Sequence, residues 1–211
     1  MRVLGLTGSI GMGKTTAARL LRRMRVPVHD ADAAVHRLIG KDGAAVPAIE
    51  SAFPGVVREG AVDRRALGAR VFADSQAMAR LERILHPLVR QDSARFLAAA
   101  RRRKARIAVL DVPLLFETGR ERDCDATLVV SAPAVVQRGR VLSRPGMTAQ
   151  RFAEVLARQM PDSEKRRRAD FVINTNRGYR ETLLALKSIL SKVRGEARRG
   201  EKKLQRRSRR R

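Results

Sequence analysis

The chain has 211 residues, 3% aromatics, a single cysteine and a formal net charge of +25, a length that holds one core domain with room for a small inserted region. One cysteine excludes an internal disulfide and a thiolate-rich zinc site, leaving Cys124 as a small apolar packing residue. No apolar run approaches the roughly 18 residues that span a bilayer, and the N-terminus reads as a strand instead of a signal peptide, so a soluble, cytoplasmic protein with no membrane partner is expected.

The first predicted element is a strand over Val3-Leu4-Gly5-Leu6-Thr7, followed directly by Gly8-Ser9-Ile10-Gly11-Met12-Gly13-Lys14-Thr15. This is a full Gly-x4-Gly-Lys-Thr phosphate-binding loop, and each residue type has a chemical reason. Glycines at 8, 11 and 13 admit unusual backbone angles and let bare N–H groups approach phosphate oxygens. Lys14 adds a positive charge toward the β and γ phosphates, and the Thr15 hydroxyl is suited to ligate Mg²⁺. A helix over roughly Lys14 to Met24 directs its positive dipole end at the same anion. A nucleoside triphosphate is the expected ligand.

A second short strand, Val26-Pro27-Val28-His29-Asp30, ends in a carboxylate, and Asp32 follows where it could cap the next helix. Helices are predicted over 44–53 and 64–72. The spacing of Met78, Leu81, Ile84, Leu85, Leu88, Val89, Phe96 and Leu97 predicts an amphipathic helix from Gln76 to Ala100, interrupted near His86-Pro87. Ile107–Asp111 and Ala126–Val130 read as buried strands, and Asp111 ends the first of them where an acid could hold Mg²⁺ through water. Residues 132–168 carry Arg138, Arg140, Arg144, Arg151, Arg158, Lys165, Arg166, Arg167 and Arg168 on two helices flanking a Pro145-Gly146 turn. Such a segment suits a lid that excludes water and neutralises a transferring phosphoryl group. A strand at Phe171-Val172-Ile173 and a helix from Tyr179 to Val193 close the domain.

Strands near 3, 26, 107, 127 and 171 joined by helices imply an α/β fold: a five-stranded parallel sheet covered by helices on both faces. Ligands of such sheets lie beyond the carboxyl ends of the strands. The expected organisation is one domain over 1–193, with a helical acceptor-binding insertion at about 36–100 and a lid at about 138–168. From 194 to 211 ten Lys or Arg stand against Glu196 and Glu201, leaving +8 with hardly any apolar residue. This tail cannot fold alone and is expected to be disordered. Nonspecific, salt-sensitive polyanion binding by the tail follows; specific nucleic-acid recognition does not, because stacking aromatics and recognition motifs are missing.

Taken in order, Leu6 to Thr16, Asp30-Ala31-Asp32, Asp63-Arg64 with Leu67 and Val71-Phe72, Leu85-His86-Pro87, Val112 to Glu117, the arginines at 140 and 144, Gln159 with Lys165, and Ala169 to Ile173 resemble the dephospho-CoA kinases. The resemblance implies a P-loop kinase fold with a helical acceptor region and lid. It implies transfer of the γ-phosphoryl of ATP to the ribose 3′-hydroxyl of dephospho-CoA. It further implies ATP contacts from Gly8, Gly11, Met12, Gly13, Lys14, Thr15, Thr16, Arg140 and Arg144, with Mg²⁺ at Thr15 and Asp111. Asp32 matches the position that receives or orients the hydroxyl proton, Asp30 being the alternative. Arg64, His86, Leu114 and Glu117 match acceptor-side positions. The chain departs from many members at Val155, where an arginine precedes the lid glutamine by four, and at Ile173-Asn174-Thr175, where Ile-Asp-Asn is common. A kinase of a nucleoside monophosphate or shikimate would share the loop and lid without these acceptor-side motifs, and a nucleic-acid-binding ATPase would account for the charge.

Overall fold

The computed structural model describes residues 1–72 and 74–208, positions 196–208 by their backbone alone. From the N-terminus the chain runs β1 (Arg2–Thr7), α1 (Lys14–Arg23), β2 (Val28–Asp30), α2 (Ala31–Ile39), α3 (Val46–Ala52), β3 (Val57–Arg58), β4 (Ala61–Val62), α4 (Arg64–Val71) and α5 (Ser75–Arg102). It continues through β5 (Ile107–Asp111), β6 (Ala126–Ser131), α6 (Ala134–Leu142), α7 (Ala149–Ala157), α8 (Asp162–Arg168), β7 (Phe171–Asn174) and α9 (Gly178–Ser208).

Five strands form the expected parallel sheet in the order β2-β5-β1-β6-β7. Leu4 lies opposite Val109 of β5, Leu6 opposite Leu128 of β6, and Val130 opposite Ile173 of β7. Because successive strand residues face opposite sides, Leu4, Leu6, Val109, Leu128 and Val130 share one face. There they are buried with Ala17, Leu20 and Leu21 of α1 and Leu186, Ile189, Leu190 and Val193 of α9. On the opposite face a side chain at Gly5 would strike Leu115 and Cys124, which close in within 3 Å of its missing Cβ.

The chain divides into two compact units, one made of Met1–His29 with the chain from Ala100 onward, the other of Asp30–Ala99. The second unit has its own core of Ile49, Phe53, Val56, Leu67, Val71 and Leu81. It includes an antiparallel hairpin, β3 with β4, turned by Glu59 at φ 49 and Gly60 at φ 78, the left-handed pair that a tight two-residue turn requires. Strands of two residues are too short to register as a sequence pattern, and the hairpin was not foreseen.

Three expectations are corrected. Helix α5 runs through Pro87 instead of breaking at His86-Pro87: Leu81 is buried and Ile84, Leu85 and Leu88 pack against the second core on either side of the proline, so tertiary packing outweighs one missing N–H. The arginine-bearing segment contains three helices, α6, α7 and α8, because Pro161 starts a separate short helix. Helix α9 continues past the expected end at Val193 to Ser208. The apolar stripe does end at Val193, but Arg, Lys, Glu and Gln are themselves good helix formers. Positions 209–211 lie outside the described residues.

Candidate active site

The phosphate loop leaves the sheet at the carboxyl end of β1, and its glycines answer to the protein behind it. A Cβ on Gly8 would stand 2.7 Å from the Val130 carbonyl oxygen, and one on Gly11 2.5 Å from Val141 Cγ2. Gly11 has φ 77; Gly13 has φ 90 and would bring a Cβ within 3.0 Å of Thr175 Oγ1. The loop is thus seated against β6, α6 and the turn after β7 at distances only glycine allows. The buried side chain of Met12 anchors its underside, with Sδ 3.0 Å from the Ala132 N–H.

Hydrogen bonds from the arginine-bearing segment fix the loop further. Gln137 of α6 donates to the Ile10 carbonyl at 2.8 Å, and the Ile10 N–H donates to Gln159 Oε1 at 3.0 Å, so the two peptide units flanking the Ile10 Cα are both held. Thr175 donates to the Met12 carbonyl at 2.9 Å. The Arg140 guanidinium donates to Thr175 Oγ1 at 3.0 Å, to the Thr175 carbonyl at 2.9 Å and to the Gly11 carbonyl at 3.4 Å. Arg140, expected to meet phosphate, is therefore placed against loop carbonyls. Arg144 sits exposed in the turn after α6.

Lys14 opens α1, and its ammonium lies 2.8 Å from Asp111 Oδ1 at the end of β5, with Asp111 3% exposed. The two charges compensate each other where water is scarce, and the pair holds the Lys14 head beside the loop. Thr15 and Thr16 follow with exposed side chains in the first helical turn, whose backbone N–H groups lack intrahelical partners.

The segment after β5 builds a second polar cluster. Thr7 Oγ1 and the fully buried Lys165 of α8 both donate to the Pro113 carbonyl, at 2.9 and 3.3 Å. Lys165 also pairs with Glu117 Oε1 at 2.8 Å, and the same oxygen accepts the Met160 N–H at 2.8 Å. Glu117 Oε2 is buried with no hydrogen-bond partner among the described residues. Ser131 donates to Asp162 Oδ2 at 2.7 Å. Leu114 is half-buried in the same segment.

In the second unit, Asp30 caps α2: its Oδ1 accepts the Ala33 N–H at 3.0 Å. Asp32, expected as the possible cap, is instead exposed in the first turn. The reason is local, since Asp30 has the extended backbone (φ −105, ψ 110) from which a carboxylate reaches back to the third helical N–H. Asp63 caps α4 by accepting from Arg65 and Ala66 N–H groups. The Ala66 bond is the main cause holding its carboxyl below the usual range. Arg64 is exposed at the start of α4 and His86 is exposed on α5. Lys14, Thr15, Asp111, Leu114, Glu117, Arg140 and Arg144 thus belong to the first unit, and Asp32, Arg64 and His86 to the second.

The sequence reading passed over Gln137 and Asp162, met Thr175 only as a departure from Ile-Asp-Asn, and did not see what Lys165 does. Glutamine and threonine give no charge signal, and a lysine inside the run Lys165-Arg166-Arg167-Arg168 looks like solvated surface. Only the burial of the first of the four, against exposure of the other three, separates them.

Comparison with known proteins adds an independent line. The family model described as dephospho-CoA kinase matches residues 2–181. A dephospho-CoA kinase of Paramagnetospirillum magneticum is 61% identical over 92% of this chain and 92% of its own, and one of Mesorhizobium japonicum 55% identical over 93% and 98%. Among solved structures, a Thermus thermophilus protein, TT1252, superposes with a TM-score of 0.80 at 38% identity, covering 90% of this chain and 97% of its own. The dephospho-CoA kinase from Campylobacter jejuni, at 20% identity and a TM-score of 0.62 over 91% and 97%, shares the fold.

Proposed function

The chain belongs to the dephospho-CoA kinase family, and from that premise we propose how its own residues carry the reaction: transfer of the γ-phosphoryl of ATP to the ribose 3′-hydroxyl of dephospho-CoA, giving CoA and ADP, the last step of coenzyme A synthesis. The observation that carries the reading is the complete glycine loop at the carboxyl end of β1, with the Lys14 ammonium held beside it by Asp111.

Phosphoryl transfer passes through a loose transition state, so positioning and charge compensation do most of the work. Loop N–H groups and Lys14 bind the β and γ phosphates, and Gly8, Gly11, Met12, Gly13, Thr15 and Thr16 complete the ATP site. Arg144, exposed after α6, supplies mobile positive charge from a lid over about 138–168, while Arg140 acts by bracing the loop. The helical region at about 36–100 takes the acceptor, with Arg64 and His86 as polar contacts. Leu114 and Glu117 contribute from the segment after β5; a substrate hydroxyl would satisfy the unpartnered Glu117 Oε2.

Asp32 receives or orients the proton of the attacking 3′-hydroxyl. Its exposure supports this role, whereas Asp30 is engaged as a helix cap. An aspartate is a weak base at neutral pH, and orientation is the larger part of its contribution. The donor set also fits Mg²⁺, which keeps several waters and takes one or two protein oxygens besides phosphates: the exposed Thr15 hydroxyl and the Asp111 carboxylate would hold it. When bound, it neutralises charge developing on the β and γ oxygens.

The test is to incubate the full chain with Mg·ATP and a panel of acceptors, following ADP and the acceptor's mass. A phosphoryl added to dephospho-CoA alone is expected, with Asp32→Asn lowering the rate by roughly 10²–10⁴-fold and Lys14→Ala by a comparable factor. Asp30→Asn should cost far less, because the amide oxygen still caps α2. Mass gained by AMP or shikimate instead would overturn the acceptor assignment.

A further inference from the structure

At the amino ends of the strands, away from the phosphate loop, the first unit has a cavity of about 310 Å³ lined by Arg25, Val26, Pro27, Ala105, Arg106, Ile107 and Arg194. Its apolar wall comes from the approaches to β2 and β5, and the polar side chains among its lining residues are all arginines. None of the three arginines makes an ion pair with another described residue, and all are exposed. Arg25 is set by the turn that ends α1, at φ 57. Arg106 is fixed where its carbonyl accepts the Arg2 N–H at 2.9 Å, and Arg194 projects from α9. The exposed residues Arg101, Arg102, Arg103 and Lys104 precede the same strand end.

We propose that this arginine-lined cavity is a docking site for the phosphate backbone of a nucleic acid, read without sequence preference. A free phosphate is the weaker fit: exposed ion pairs contribute only about 0–1 kcal/mol each, and nothing buried converges on a single anion. A polymer sums many such contacts and gains from releasing counterions. Continuity with α9 favours the polymer as well. The α9 backbone is helical through Ser208, and the sequence from 194 to 211 carries ten Lys or Arg against Glu196 and Glu201. The near absence of aromatics leaves the backbone, not the bases, as what is read. This places the binding at a defined end of the sheet, where the sequence had suggested only the tail.

The test compares the full chain with Arg25→Glu/Arg106→Glu/Arg194→Glu and with Arg70→Glu/Arg83→Glu/Arg95→Glu, which changes net charge equally on the second unit. Binding of a labelled 20-base-pair duplex is measured against salt. The cavity variant should lose roughly three from the log–log salt slope and at least tenfold more affinity than the control variant, with kinase turnover unchanged in the cavity variant. Two duplexes of unrelated sequence should give the same values. Equal losses in both variants would reduce the effect to bulk charge and overturn the proposal. Inorganic phosphate displacing the duplex at low millimolar concentration would also overturn it. So would binding of the chain to phosphatidylglycerol vesicles but not to duplex. Should the glutamate variant misfold by circular dichroism, Arg25→Gln/Arg106→Gln/Arg194→Gln keeps the same comparison with a smaller change in charge.

Discussion

Removing either partner of the Lys165–Glu117 pair should destabilise the protein, and by unequal amounts. Lys165 is fully buried, whereas Glu117 is 17% exposed and keeps the Met160 N–H as a donor. Glu117→Leu strands an ammonium with only the Pro113 carbonyl at 3.3 Å; Lys165→Met strands a carboxylate that retains one good donor and some water. Breaking a buried pair costs about 3–5 kcal/mol, so Glu117→Leu belongs at the upper end and Lys165→Met at the lower. At about 2–4 °C per kcal/mol for a chain of this size, the losses are roughly 10–20 °C and 6–12 °C in Tm. The double variant replaces the pair by apolar groups of similar volume. Thr7 still donates to the Pro113 carbonyl, and the Met160 N–H alone loses its acceptor, so the double variant should cost only about 1–2 kcal/mol. Urea unfolding of all four proteins, followed by circular dichroism, gives the coupling directly. Losses that simply add to within about 0.5 kcal/mol, or a milder effect at Glu117 than at Lys165, would refute the reasoning.

Three further outcomes follow from the geometry. Gly8→Ala should abolish ATP binding, because its Cβ meets a backbone oxygen at 2.7 Å, whereas Gly139→Ala in α6, with nothing within 4 Å, should be neutral or stabilise by up to about 1 kcal/mol; calorimetry and thermal melts distinguish the two. Thr175→Val keeps the shape against Gly13 but loses the bonds to Met12 and Arg140, and should raise KM for ATP roughly tenfold, equivalent to about 1.4 kcal/mol, with a smaller change in kcat. Burial pushes the Cys124 thiol up to about 12, so the native chain should resist alkylation at pH 8 while the urea-unfolded chain reacts. The folded thiol holds its proton longer than the unfolded one, so this stabilisation is full below the unfolded pKa and declines as pH rises from there toward 12. Cys124→Ala should therefore show a shallower alkaline loss of stability than the wild-type chain.

The sheet was legible because buried parallel strands write continuous apolar runs, as Ile107–Asp111 and Ala126–Ser131 do. The loop was legible because phosphate chemistry admits few residue types at fixed spacing. What escaped the sequence was decided by tertiary contacts. Pro87 sits in a helix that packing keeps whole, and the β3–β4 hairpin rests on a two-residue turn. Asp30 displaced Asp32 as the cap through backbone angles that no composition encodes. Arg140 is expected to contact ATP, and the bonds its guanidinium gives to carbonyls of the loop and of residue 175 have no signal in the sequence. The lid was read from the arginines of 132–168 and the acceptor assignments from a family resemblance, and the acceptor assignments are tested by the acceptor panel and not by the fold.

The backbone of Ile10 carries a consequence for the order of events at the loop. Its amide hydrogen is already given to Gln159 and its oxygen is already taken by Gln137. An incoming anion can recruit that amide only by exchange with the glutamine. Gripping at Ile10 and release at Gln159 are thereby one event, which mechanically ties the state of the loop to the linker between α7 and α8.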